Sequence, residues 1–209
     1  YEYVFRKDFE WNKFLKNLLH GLTAIGCMIL LSLPFGLEKV ISQYSSTLGS
    51  YPYISVNAYN FWSLLGLNWA SQEKSFLSLS FGELGTIEFL SFAQLGTVVI
   101  VVLTFLSVLL FIKRFQQSER YYLTGAFLII TMFLFSVRMH ERYLFPGMLL
   151  LLMAYIMSRN TAWLYCYVAL SIGHFLNVWH VLYHYDPYNY NATAFPIVGI
   201  SLLLVLTGA

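Results

Sequence analysis

Charge is scarce in this chain. Only 11% of its 209 residues are Asp, Glu, Lys or Arg, against 58% hydrophobic, and the mean hydropathy is +0.64. A soluble domain carries about a quarter charged residues, so the composition excludes one and points to an integral membrane protein. The net charge of +2 is too small to draw a polyanion, which removes nucleic acid as a partner. Cysteine is scarcer still. Cys27 and Cys166 both fall inside apolar runs, where a lone cysteine is a small packing residue and says nothing about redox compartment. No cleavable signal peptide is visible either, since the first apolar run lies behind a charged segment without the usual order of regions.

What is abundant is apolar sequence in long runs. They cover 15–37, 92–112, 121–137, 144–158, 161–182 and 195–207, and a helix needs about 20 such residues to cross about 30 Å of hydrocarbon. The expected fold is therefore all-α, a polytopic bundle of about six transmembrane helices. The fourth run is short and has to tilt little or borrow Arg142 and Tyr143. The chain opens at Tyr1 and its last apolar run stops at Ala209 without a closing charge, which suggests a piece of something longer. With the N-terminus in the cytoplasm, Arg6, Lys7, Lys13, Lys16, Lys113, Arg114, Arg120 and Arg159 lie inside, and Lys39, Lys74, Arg138 and Arg142 outside. That distribution obeys the positive-inside rule. It turns the long loop 38–91, the stretch around His140 and the sequon Asn191-Ala192-Thr193 outward.

Two outward segments carry the chemistry. One is the loop stretch from Tyr51 to Trp69, rich in aromatics and amides and free of charge. Val56, Tyr59, Asn60, Ser63, Leu64 and Leu67 recur at helical spacing, which predicts a short helix lying on the bilayer surface. A second interfacial or re-entrant piece is expected at 76–92, kept out of the hydrocarbon by Glu83 and Glu88. The other segment is Arg138-Met139-His140-Glu141-Arg142-Tyr143-Leu144-Phe145-Pro146, four ionisable groups between two apolar runs. Arg138 and Arg142 are four apart and share one face if the third helix continues through them. Their forked guanidiniums suit phosphate oxygens, His140 is placed to donate to the same phosphate, and Glu141 to hold an arginine or orient a hydroxyl. Pro146 suits the first turn of the next helix.

The Ser55-Val56-Asn57-Ala58-Tyr59-Asn60-Phe61-Trp62 core and the His140–Pro146 stretch resemble the C-terminal half of bacterial membrane glycosyltransferases of the GT-C superfamily, related to the dolichyl-phosphate-mannose-protein mannosyltransferases. The resemblance implies a polyprenyl-phosphate sugar as donor, bound from the membrane lipid of a bacterial cell. Transfer would occur on the extracytoplasmic side to a hydroxyl of a protein, lipid or glycan acceptor. It further implies donor contacts from Arg138, His140, Glu141 and Arg142, and substrate contacts from Tyr53, Asn57, Tyr59, Asn60 and Trp62 in the outer loop. In the family a carboxylate of the first outward loop is the general base. Glu38, Glu73, Glu83 and Glu88 form no acidic pair suited to that role, so the base is expected outside this chain and no catalytic residue is assigned.

Plainer readings stand beside these. Arginines at span ends often snorkel to lipid headgroups, and aromatics at that depth anchor any membrane protein. His180 and His184, with His174 and Asp186 nearby, have the spacing of helical metal ligands, yet no Glu-x-x-His companion supports them, so no metal ligand is assigned and a divalent metal is left open. Asn177 and His174 are the main polar residues within the spans, too few for an ion-coupled transporter. A non-catalytic assembly or lipid-binding subunit is the remaining alternative.

Overall fold

The computed structural model describes residues 11–80, 86–114, 117–184 and 195–208. The sequon, Asp186 and Glu83 lie outside them. Two units divide the chain, Tyr1–Ser50 and Tyr51–Ala209.

The first unit is helical. Helix α1 (Trp11–Ser32) runs into a 3-10 turn at Leu33–Phe35, Gly36 adopts φ +81°, and α2 (Leu37–Gly49) follows. None of the apolar stretch of α1 is buried within the protein, although Ile25, Leu30 and Leu31 are among its residues. Its hydroxyls turn back on the helix, Thr23 donating to the Leu19 carbonyl at 2.8 Å and Ser32 to the Met28 carbonyl at 2.7 Å. Such back-bonding satisfies a hydroxyl where the surroundings offer no partner.

The second unit is mostly helical too: α3 (Phe61–Leu64), α4 (Phe92–Lys113), α5 (Arg120–Phe135), α6 (Phe145–Ser158), α7 (Thr161–His184) and α8 (Phe195–Gly208). Two small sheets depart from the expected all-α fold. Strand β1 (Ser55–Val56) pairs in parallel with β4 (Met139–His140), and β2 (Ser75–Ser80) pairs antiparallel with β3 (Thr86–Ser91). The second pair occupies the segment expected to be interfacial or re-entrant. A two-stranded sheet leaves edge groups that lipid cannot satisfy, which argues against its dipping into hydrocarbon.

Helix α4 begins where its sequence says it should. Ser91 Oγ accepts from the Gln94 N–H at 3.2 Å and the Gln94 side chain accepts from the Ser91 N–H at 2.9 Å, a reciprocal capping box. Pro146 sits in the first turn of α6, as its missing N–H allows. Leu123, Ile130, Phe133, Leu134, Leu144, Met148, Leu151, Leu170 and Leu204 interlock as the core of the bundle. A second core of Ile54, Trp62, Phe92 and Val137 lies under the loop. Among the described residues, α1 and α4 are the helices long and apolar enough to cross a membrane.

At one crossing a glycine is required. A Cβ on Gly96 of α4 would overlap the Val137 side chain, and Val137 immediately precedes Arg138. Gly96→Ala should therefore displace the start of the charged stretch. We expect a loss of about 1–3 kcal/mol, the usual cost of overpacking, measured as a lower thermal midpoint in detergent.

Candidate functional site

The charged stretch is shaped by the end of α5. The helix stops at Phe135, Ser136 is extended, and Arg138 takes the left-handed φ of +63°. The expected continuation of the helix through Arg142 does not occur, so Arg138 and Arg142 do not share a helix face. Instead Met139 and His140 form β4, and Glu141–Leu144 make one 3-10 turn before α6. Nothing in the sequence from Leu134 to Val137 carries a glycine or proline stop signal; the helix ends because its last carbonyls are claimed from elsewhere.

They are claimed by the aromatic loop. Asn60 Nδ2 donates to the Phe133 carbonyl at 3.0 Å, Trp62 Nε1 donates to the Phe135 carbonyl at 3.0 Å, and Ser136 N–H returns to the Met132 carbonyl at 2.9 Å. Groups left open at a helix end are thus bonded by side chains of another segment. Asn60 also caps α3, its Oδ1 accepting from the N–H groups of Trp62 and Ser63 at 3.1 and 3.2 Å. Arg138 N–H donates to the Ile54 carbonyl at 3.0 Å, which fixes the register of β1 against β4.

Helix α7 holds the loop from a second direction. Asn177 is fully buried; its Oδ1 accepts from the Tyr59 N–H at 3.1 Å and its Nδ2 donates to the Asn57 carbonyl at 2.8 Å. The Tyr59 hydroxyl lies 2.7 Å from His180 Nδ1 in a buried hydrogen bond. Burial, and after it the Glu141 carboxylate, push the Tyr59 phenol well above its ordinary value. The amide that stood out in an apolar run is therefore a backbone partner for the loop.

The expected surface helix over 56–67 is not formed. In its place are β1, a left-handed Asn57 and a single helical turn, with Tyr59, Asn60 and Ser63 turned inward. Helical spacing was misleading because the polar residues in it face the interior, where each finds a partner: Ser63 Oγ donates to the Ala58 carbonyl at 2.6 Å.

The residues read as donor or substrate contacts separate into two groups. Tyr59, Asn60 and Trp62 are buried, and their polar atoms serve the protein; Trp62 stacks edge-on against Phe92 at 5.4 Å. Asn57 accepts from Trp69 Nε1 at 2.8 Å, and the Tyr53 ring meets Trp69 edge-on at 5.1 Å; both are half-buried. His140 is buried, while Arg142 is 64% exposed. Between them Glu141 is 20% exposed, with Oε2 3.9 Å from His140 Nδ1 and Oε1 3.9 Å from Arg142 Nη1. No acidic partner pairs with Arg138 among the described residues, and no group of three or more His, Cys, Asp or Glu there is placed to hold a metal. The His184 side chain is not among those described.

Backbone strain gathers at the same place. Tyr51, Asn57, Trp69 and Arg138 have φ between +56° and +63°, and they make up all but one of the non-glycine residues with positive φ among those described. The remaining one, Arg159, ends α6. Left-handed backbone costs an L-residue about 1–2 kcal/mol, and its concentration in one region marks a site whose surroundings over-determine it. Tyr51 gave no sign of this in the sequence.

Two outcomes follow from the geometry. Asn60→Ala removes the bonds to Phe133, Trp62 and Ser63; with buried groups left open at about 1–3 kcal/mol each, the loop should become cleavable by protease within residues 51–69. The pH dependence follows from His140, whose imidazole is held below its ordinary 6.5 first by burial and then by Arg142, against the pull of Glu141. The folded protein then binds fewer protons than the unfolded one just below pH 6.5, so stability is complete above that pH and falls as the pH drops. His140→Gln should flatten that decline in a series of denaturation midpoints.

Compared with family models, curated proteins and solved structures, the chain matches none, so the functional reading rests on this geometry and on the sequence resemblance.

Proposed function

We propose that the chain is the region of a membrane glycosyltransferase that binds a polyprenyl-phosphate-linked sugar on the extracytoplasmic side and supports its transfer to an acceptor hydroxyl. The observation that carries this reading is that two weakly compensated arginines, Arg138 and Arg142, lie in the segment joining α5 to α6. Arg138 has no acidic partner among the described residues, and Arg142 is mostly exposed, with its carboxylate neighbour beyond hydrogen-bond distance. Arg138 immediately precedes β4 and Arg142 lies in the 3-10 turn after it, and β4 is fixed against β1 by hydrogen bonds.

A lipid phosphate suits such arginines. Its chain stays in the bilayer and its charge sits at headgroup level, where a guanidinium fork offers two parallel N–H donors. As the acceptor oxygen bonds to the anomeric carbon, the bond from that carbon to the phosphate oxygen breaks and negative charge grows on the departing polyprenyl phosphate. A fixed cation stabilises that charge more in the transition state than before it. The proton of the acceptor hydroxyl goes to a base outside the residues assigned here. In this reading α1 and α4–α8 are the six spans, the N-terminus is cytoplasmic, and the β1–β4 site faces outward. Helices of 14 residues such as α6 reach only about 21 Å at 1.5 Å per residue, so the bilayer thins there or the flanking turn completes the crossing.

Arg142→Ala and Arg138→Ala should each lower kcat/KM for a polyprenyl-phosphate sugar by about 10²-fold, the scale of a lost transition-state donor. Unchanged kcat and KM at normal protein levels would sink the phosphate role. Orientation is checked separately. With Cys27 and Cys166 replaced, Arg142→Cys should react with an impermeant thiol reagent on intact cells; labelling only after lysis reverses the topology.

A further inference from the structure

The β2–β3 hairpin is built onto the head of α4. Strand β3 ends on Ser91, the residue that caps α4, so no linker separates the two. The next two N–H groups, which a helix start leaves open, are bonded by the segment before β2: Phe92 donates to the Lys74 carbonyl at 3.0 Å and Ala93 to the Gln72 carbonyl at 2.9 Å. The Phe76 ring meets Phe92 edge-on at 5.3 Å. Backbone and side chains thus hold the hairpin in one attitude to its helix.

Its two faces differ. Leu79 stands opposite Ile87 and Leu77 opposite Leu90, while Ser78 stands opposite Glu88. Successive strand residues alternate sides, so Leu77, Leu79 and Ile87 share one face and Ser78 and Glu88 the other. The ladder is irregular on either side of Leu77, beside Phe76 and Phe89. Phe76, Leu77, Leu79, Ile87 and Phe89 are 48% to 55% exposed. A two-stranded sheet is marginal in water, and five large apolar side chains left open on one mark a contact surface.

Helix α4 indicates what covers that surface. It is long and apolar enough to cross a membrane, and only 17% of its most apolar stretch is buried inside the protein. Its first turn is then where it enters lipid, and the hairpin is fixed at that level. We propose that the β2–β3 hairpin seats its Leu77, Leu79 and Ile87 face on the lipid leaflet that α4 enters, at the boundary between headgroups and acyl chains. There the apolar side chains leave water, while the edge N–H and C=O groups, which hydrocarbon cannot satisfy, stay within reach of it. Ser78 and Glu88 turn to the aqueous side. A protein strand added to either edge would pair the backbone and still leave the apolar face open, so the leaflet is the better fit. The seat also sets the height of the aromatic loop, because Phe92 bears on Trp62, whose indole bonds the end of α5. It rests on α4 lying in lipid and not on the glycosyltransferase reading.

The test uses the full chain in phospholipid nanodiscs, with Cys27→Ser and Cys166→Ser as background and one nitroxide attached through Leu79→Cys, Ile87→Cys, Ser78→Cys or Glu88→Cys. Collisions are measured with oxygen, which dissolves in lipid, and with a nickel chelate, which stays in water. The oxygen-to-nickel ratio at Leu79→Cys and Ile87→Cys should be severalfold above that at Ser78→Cys and Glu88→Cys, and should place the first two about 5–10 Å below the phosphates, the depth reached by apolar faces that lie along a membrane. Leu77→Cys carries the same reading if either apolar variant fails to accumulate. Frequent nickel collisions on both faces, the opposite alternation, or protection of Leu79→Cys from both reagents, which marks a protein cover, each overturn the seat.

Discussion

An α-helix that ends inside an apolar fold leaves carbonyl groups that neither lipid nor a hydrocarbon core can satisfy. In this chain the end of α5 poses that problem, and the aromatic loop answers it with the Asn60 amide and the Trp62 indole. Everything distinctive about the site follows. Because the carbonyls are bonded from the side, the backbone can leave the helix after Phe135, turn through a left-handed Arg138 and enter β4. Had the helix continued, His140 would not lie beside Tyr51, nor would Arg138 be held in register by Ile54.

Much of the helical framework was legible in the sequence, and the reason is simple. Long apolar runs can satisfy their own backbone only as helices, so the runs read from composition coincide closely with α1 and α4–α8. Pro146 in the first turn of α6 was legible too, whereas the Ser91–Gln94 capping box of α4 emerges from the structure. The site was legible in its location but not in its construction. The spacing of Arg138 and Arg142 suggested a shared face because nothing local marks the end of α5; that end is set by residues some seventy positions earlier. Tyr59, Asn60 and Trp62 look like residues made for a ligand, since large polar aromatics and amides in an uncharged loop are expensive to bury. Their partners, Asn177, His180 and the α5 carbonyls, make burial acceptable, and none is near in sequence.

The division of labour within the site follows burial. Groups whose polar atoms are bonded inward hold the scaffold still, and the groups left over are Arg138, Glu141 and Arg142. Binding constellations need supports whose own rotamers are locked. Here the supports come from a loop, a helix end and the C-terminal part of α7, so displacement of any one is transmitted to the others. Gly96 extends the same dependence to α4, because the space it leaves is filled by Val137.

The Asn177 amide has a consequence for synthesis. It bonds the backbone of Asn57 and Tyr59 across 120 and 118 residues of chain. As the protein is made from its N-terminus, the aromatic loop emerges long before α7 exists, and α5 comes between them. Until α7 is in place, the Asn57 carbonyl and the Tyr59 N–H lack the Asn177 amide that bonds them. The loop therefore locks last, and a chain that stops short of α7 has the charged stretch but no finished site.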